Sequence, residues 1–197
     1  MIWYTADTHA YHDRIIAPCN RPFTSGEQMA VALAEITNEY VVSTDILFHL
    51  GDFCWRGGRA LWAAYREMIN CRQIFLIRGN HDDIGLNDTH KWFAGIFDVY
   101  RRDNIIMSHC PMESWERMHK SIYHLHGHCH GTIGSHLFKL RADVGVDATG
   151  YRPISHDEVE DMMQAKIGTR DALIPHWEAL GYHFFSSSNQ ASYEMPL

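Results

Sequence analysis

The 197-residue sequence predicts an α/β fold. Short apolar runs of strand length alternate with longer stretches of helical periodicity. Polar, chemistry-bearing residues fall just beyond the ends of the apolar runs, where ligands bind in open α/β sheets. The composition is that of an ordinary soluble globule, long enough to bury about 70% of its unfolded surface without disulfide staples. One domain is the simplest reading of that length.

The elements follow in order. Residues 1–6 are apolar and suit a buried strand. Between 26 and 42, Met29, Leu33, Ile36 and Tyr40 recur at helical spacing, with Thr24 or Ser25 available as N-cap. The run DILFHL (45–50) is a strand ending at Gly51-Asp52. A second amphipathic helix spans 59–69, with Leu61, Trp62, Tyr65, Met68 and Ile69 on one face. RQIFLI (72–77) is a buried strand that ends at Gly79-Asn80-His81-Asp82. Residues 83–96 show no defined pattern. NIIMSH (104–109) and 121–126 are further strands, and a longer strand is expected near 136–144. From about 168 the pattern changes to a short helix at 171–180 and a loose SSSNQAS segment (186–192). The expected organisation is one domain over 1–167 with a C-terminal extension over 168–197.

The formal net charge of −7, without a block of like charges, argues against a basic nucleic-acid groove. A bound metal would add local positive charge that this count omits. Cysteines 19, 54, 71, 110 and 129 are odd in number, scattered and without a C-x-x-C pair. They read as reduced thiols and give a cytoplasmic expectation. MIWYTADTHA does not read as a signal peptide, and no run approaches the roughly 18 apolar residues of a membrane span.

Fifteen histidines are the compositional oddity. Four of them fall within HLHGHCH (124–130). As a strand end this segment places His124 and His126 on one face and His128 and His130 past Gly127. Elsewhere, Asp7, His9, Asp52, Asn80, His81 and His109 also follow strand ends. A single strand-end aspartate is usually a turn former or cap; this many together point to a metal site. The set Asp7, His9, Asp52, Asn80, His109, His128 and His130 offers only nitrogen and oxygen donors. Such donors suit manganese first, with iron, zinc, nickel or cobalt as alternatives. The set exceeds one tetrahedral zinc and matches two divalent ions sharing a carboxylate, about 3.5–4 Å apart.

Asp7-x-His9, Gly51-Asp52, Gly79-Asn80-His81-Asp82, His109 and Gly127-His128-Cys129-His130 occur in the order found in calcineurin-like metallophosphoesterases. The chain resembles that family from residue 1 to about 155, and NRPF (20–23) and VGVDATGYRPIS (144–155) resemble a small single-domain subgroup. The resemblance implies a four-layer αββα sandwich, two mixed β-sheets flanked by helices. It implies that Asp7, His9 and His130 bind the first metal, Asp52 bridges, and Asn80, His109 and His128 bind the second. A metal-held hydroxide would attack phosphorus and His81 would protonate the leaving oxygen. Asp82 would hydrogen-bond and orient the His81 ring.

Around this centre, Arg21 is a candidate for bidentate phosphate binding, with a surface salt bridge as the alternative. His12 and Arg56 are further substrate candidates, and Trp55 either lines the pocket mouth or packs. His124 and His126 are expected to be structural or to orient a ligand. Cys54, Cys110 and Cys129 lie close to proposed ligands; the expectation is that such neighbours point the other way, with direct thiolate ligation as the alternative. Asp143 and Asp147 are expected to stabilise the returning strand and turn. The acidic residues after Ser155 complement a helix dipole. The expected reaction is phosphoester hydrolysis, leaning to phosphodiesters such as a cyclic or short nucleotide. A phosphomonoesterase and a non-catalytic scaffold of the same fold are the alternatives.

Overall fold

The computed structural model describes residues 1–55, 58–82, 91–134 and 139–180. Strand β1 (Ile2–Thr5) pairs in parallel with β2 (Ile46–His49), and β2 with β3 (Gln73–Ile77). The short β4 (Gly95–Phe97) and the antiparallel β9 (Ile154–Ser155) complete a five-stranded sheet in the order β4-β3-β2-β1-β9. A second, four-stranded sheet runs β5 (Val99–Arg102), β6 (Ile105–Ser108), β7 (Tyr123–His126), β8 (Arg141–Asp143), with only β5 antiparallel. Both sheets are mixed and helices flank them, the expected architecture.

Side-chain alternation along each strand separates two cores. Trp3, Leu47, Ile74 and Leu76 pack outward with Trp62, Tyr65 and Ala34 from helices α2 (Gly26–Tyr40) and α3 (Gly58–Met68). Tyr4, Phe48 and Ile77 face inward onto Ile105, Met107, Tyr123 and Leu125 of the second sheet. Helix α2 starts where Ser25 accepts a hydrogen bond from the Gln28 amide, as an N-cap should. A four-residue helix, α1 (Asp13–Ile16), interrupts the loop after β1, and another, α4 (Val146–Thr149), follows β8.

Three differences from the sequence reading have local causes. The short strands β4, β5 and β9 were not visible as apolar runs; β5 alternates exposed and half-buried residues at a sheet edge. The strand expected near 136–144 is confined to Arg141–Asp143 among the described residues, and 135–138 lie outside them. The helix expected at 171–180 is the end of one continuous helix, α5 (His156–Ala179), which crosses the boundary expected at 167. A capping box starts it: Ser155 Oγ accepts from the Glu158 amide and Glu158 accepts from the Ser155 amide. Val159, Met163 and Ile167 then bind it to the inter-sheet core. The segment expected to be loose, 186–192, lies outside the described residues.

Because β1, β2 and β3 are parallel, the loops carrying Asp7, Asp52 and Asn80 leave one edge of the first sheet. Those carrying His109 and His128 leave the ends of β6 and β7, which are also parallel. Backbone pairing continues past the strands: Asp7 N donates to Gly51 O, His9 N to Asp52 O and Ala10 N to Phe53 O.

Candidate metal centre

All seven expected ligands come together. Asp52 Oδ2 lies 3.4 Å from His9 Nε2 and 3.4 Å from His109 Nε2, so one carboxylate oxygen sits between two groups. On one side, ligand atoms of Asp7, His9 and His130 lie within 4.8 Å of one another. On the other, Asn80 Oδ1 is 3.0 Å from both His109 Nε2 and His128 Nδ1, and those two nitrogens are 3.2 Å apart. The side chains thus fall into two groups with Asp52 between them.

The backbone bends sharply to achieve this. Asp7, His9, Asp52, His128 and His130 all have positive φ, from 46° to 70°. Non-glycine residues rarely adopt this region, and such strain gathers at functional sites. Within D-x-H it lets Asp7 and His9 face the centre while Thr8 turns into the core. There Thr8 Oγ1 donates to Phe53 O and meets His49 Nε2 at 2.9 Å. Close approach requires glycine at several points, Gly51 and Gly79 among them. Gly51 has φ +94° and a Cβ there would sit 2.4 Å from His109 Nδ1. A Cβ on Gly79 would sit 2.2 Å from Asp52 Oδ1.

The protons are assigned by the neighbours. His109 Nδ1 lies 2.8 Å from the Leu50 carbonyl, which can only accept, so Nδ1 carries a proton and Nε2 is the nitrogen turned to Asp52 and Asn80. His130 Nδ1 lies 2.6 Å from Asp147 Oδ2 and donates to it, leaving Nε2 as its lone-pair nitrogen. Both patterns are those of metal-binding histidines held by an outer partner.

The donor set fits divalent cations. Both ring nitrogens of His9 are buried without a hydrogen-bond partner, a costly state unless an ion satisfies one of them. Asn80 Oδ1 and His109 Nε2 lie 3.0 Å apart, a contact bridged by a proton on Nε2 or by a cation in its place. Burial pushes the Asp7 carboxyl up to about 7, with His109 and His130 opposing it. Burial pulls His9 down to about 3. For Asp52 burial works upward, but the hydrogen bond and charge of His109, with His9, outweigh it and hold the carboxyl below its usual range. For His109 burial works downward, and Asp52 and Asp7 outweigh it, raising the ring to about 9.

Two roles expected from the sequence are corrected. Arg21 does not offer its guanidinium to substrate. Its Nε and Nη2 donate to the two oxygens of Asp147, Nη2 also to Asp7 O, and Nη1 to Thr8 O and Met29 Sδ. Every guanidinium hydrogen is committed, and the side chain is buried. Asp82 does not orient the His81 ring. Its carboxylate accepts from the backbone amides of Asp52, Phe53 and Gly79 and so ties two ligand loops together. His81 Nδ1 is buried without a hydrogen-bond partner, and the residue is held by its amide, which donates to Asp52 Oδ1.

The His81 ring lies 5.4 Å from that of His9 and 4.8 Å from Trp55. His12 stacks face to face on Trp55 at 3.5 Å, is 5.4 Å from His9, and has a buried, unpartnered Nδ1. Arg56 lies outside the described residues. His124 is buried between the Ile106 carbonyl and the Met112 amide, and His126 contacts Gly127 O; both are structural. Asp143 stabilises the turn, accepting from Gly131 N and Gly145 N. Asp147 does more than the sequence reading gave it, since it also holds His130. A pairing between residues 21 and 147 leaves no signature in spacing.

A cavity of about 560 Å³ opens beside Asn80 and His109, with Arg78, Val99, Cys110, Pro111 and Met112 in its lining. Arg78 there is paired with Asp98.

Comparison with known proteins gives a consistent result. The model of the calcineurin-like phosphoesterase family matches residues 1–184. An uncharacterized protein of Methanocaldococcus jannaschii is 30% identical over 169 residues, covering 83% of this chain and 91% of the relative. The gene 66 protein of Mycobacterium phage D29 is 25% identical over 193 residues, covering 82% and 95%. A crystal structure of a protein of unknown function from Aquifex aeolicus shares the fold with a TM-score of 0.60 at 21% identity, covering 82% of this chain and 98% of the other. The chain belongs to the calcineurin-like phosphoesterase family, whose members are metal-dependent hydrolases of phosphoric esters. Among the described residues no helix is long and apolar enough to cross a membrane.

Proposed function

We propose that this member of the family hydrolyses phosphodiesters, a cyclic or short nucleotide being the expected substrate class, with two divalent ions of which manganese is the first candidate. The observation that carries the two-ion reading is Asp52 Oδ2, equidistant at 3.4 Å from His9 and His109. When bound, the ions supply Lewis acidity toward the phosphoryl oxygens and lower the pKa of the attacking water.

The protein's own residues do the rest. Asp147 and the Leu50 carbonyl hold Nδ1 of His130 and His109, leaving Nε2 of each ring as the nitrogen that would bind an ion. His81, beside His9 and backed by Trp55, delivers a proton to the departing alkoxide. His12, stacked on Trp55 with a buried unpartnered nitrogen, contacts the substrate's phosphoryl group.

Charge supports a diester over a monoester. A dianionic terminal phosphate calls for extra cations, and the guanidinium best placed for it, Arg21, is fully committed elsewhere. The cavity beside Asn80 and His109, with apolar Val99, Pro111 and Met112, has the volume of a small-molecule pocket and suits the second ester arm. Free cysteines agree with a cytoplasmic setting.

Hydrolysis of bis-p-nitrophenyl phosphate and p-nitrophenyl phosphate, each with added manganese and with chelator, tests the reading. Chelator-sensitive turnover that favours the diester is expected. Preference for the monoester would overturn the substrate class, and inactivity on both with metal bound would favour the scaffold alternative.

A further inference from the structure

Cys110 is the residue near the centre that the two-position scheme does not use. Alternation would turn it away from His109, but the chain has already left extended geometry there. Strand β6 ends at Ser108, whose Oγ donates to the Cys110 carbonyl at 2.7 Å and closes a tight turn. The result is that ligand atoms of His109, Cys110 and His128 lie within 4.8 Å of one another.

We propose that the Cys110 thiolate is an additional ligand at the second metal position, joining His109 Nε2, His128 Nδ1 and Asn80 Oδ1, and makes that position thiophilic. The proposal rests on the two-ion reading above. The neighbouring nitrogens are prepared for it. His109 Nδ1–H is bound to Leu50 O, which leaves Nε2 to the centre, and His128 Nδ1 and Asn80 Oδ1 lie 3.2 and 3.0 Å from it. Among the other cysteines, Cys19 groups with His130 and Asp147 and not with these atoms. Cys54 Sγ meets the Ala10 carbonyl and Cys71 Sγ the Asp45 carbonyl. Cys110 is exposed and lines the cavity with Asn80 and His109, so an incoming ion reaches it without any rearrangement of the core.

A sulfur donor makes the two positions chemically unequal. At the first position the group Asp7, His9 and His130 offers oxygen and nitrogen donors, which accommodate manganese, with Cys19 grouped instead with His130 and Asp147. The second, with a soft thiolate, selects zinc, iron(II) or cobalt(II) over manganese. Binding replaces the sulfur–hydrogen bond by a sulfur–metal bond, and the thiol proton leaves to solvent, one per ion bound.

Cobalt(II) titration of the full chain tests this, followed by absorbance and by metal analysis. Wild type is expected to take up two cobalt ions and to develop a near-ultraviolet thiolate-to-cobalt charge-transfer band. Cys110→Ser should still bind cobalt but lose the band and at least ~10-fold of the preference for zinc over manganese, the loss typical of a removed metal-site partner. Cys129→Ser should retain both. Two cobalt ions bound by wild type without the band, or a band that survives in Cys110→Ser, overturns the thiolate ligand alone. Failure of wild type to bind two ions overturns the two-ion reading and this proposal with it.

Discussion

The guanidinium of Arg21 and the carboxylate of Asp147 form a buried fork, Nε to Oδ1 at 2.8 Å and Nη2 to Oδ2 at 2.6 Å. The same Asp147 oxygen accepts from His130, and the same Arg21 nitrogen reaches Asp7 O at 2.7 Å. One ion pair therefore fixes both the D-x-H loop and the last histidine of the centre. Asp147→Asn or Arg21→Lys is expected to weaken binding at the first position by ~10–100-fold, measured by equilibrium dialysis. Circular dichroism of each variant separates this from unfolding, because breaking a buried pair also destabilises. Unchanged metal affinity in a folded Asp147→Asn protein would remove the fork from the site.

His81→Ala should lower turnover of an alkyl diester by ~10²–10⁴-fold with metal content intact, since His81 contributes its amide, not its ring, to Asp52. A p-nitrophenyl ester, whose leaving group needs less protonation, should lose less. Equal losses on both esters would argue against proton donation.

Gly79→Ala places a methyl group 2.2 Å from Asp52 Oδ1, against backbone and the shared carboxylate rather than a flexible side chain. Loss of bound metal and a lowered Tm are the expected results, read by elemental analysis and calorimetry. A variant that still holds two ions would show that Asp52 can relocate.

Chelation should lower Tm. At a hundredfold excess over Kd an ion stabilises by about 2.7 kcal/mol, and for a chain of this size each kcal/mol shifts Tm by about 2–4 °C. Differential scanning fluorimetry with and without chelator reads the shift, which should reverse on adding metal.

Acid stability isolates a group away from the centre. Arg152 hydrogen-bonds Glu158, and against a smaller opposing effect of burial it lowers that carboxyl from 4.5 to about 2. The folded value is the lower one, so the stabilisation is full above about 4.5 and is lost as pH falls toward about 2. Glu158→Gln should flatten the acid limb of a urea-denaturation profile over that window and leave its neutral-to-basic part parallel to wild type. The pair is partly exposed, so the effect is modest and salt-sensitive.

What was legible in the sequence is what local chemistry dictates. Apolar runs marked β1, β2, β3, β6 and β7, and the polar residues just past them marked the ligands, because parallel strands deliver their C-terminal ends to one edge. The seven candidate ligands were named from order and motif, and the fold brings their side chains together. Ser25 was legible as a cap because capping is a contact between residues three apart.

The roles of Arg21, Asp82 and Asp147 were decided only by the tertiary structure. Each depends on a partner set that chain spacing does not encode. Arg21 resembles a phosphate binder until Asp147, 126 residues away, takes two of its donors. Asp82 is next to His81 in sequence, yet the backbone turn directs its carboxylate to the Asp52 loop. Cys110 escapes strand alternation because a serine hydroxyl closes the turn beneath it. A motif fixes which atoms are available for chemistry; folding determines which of their hydrogen bonds are already taken.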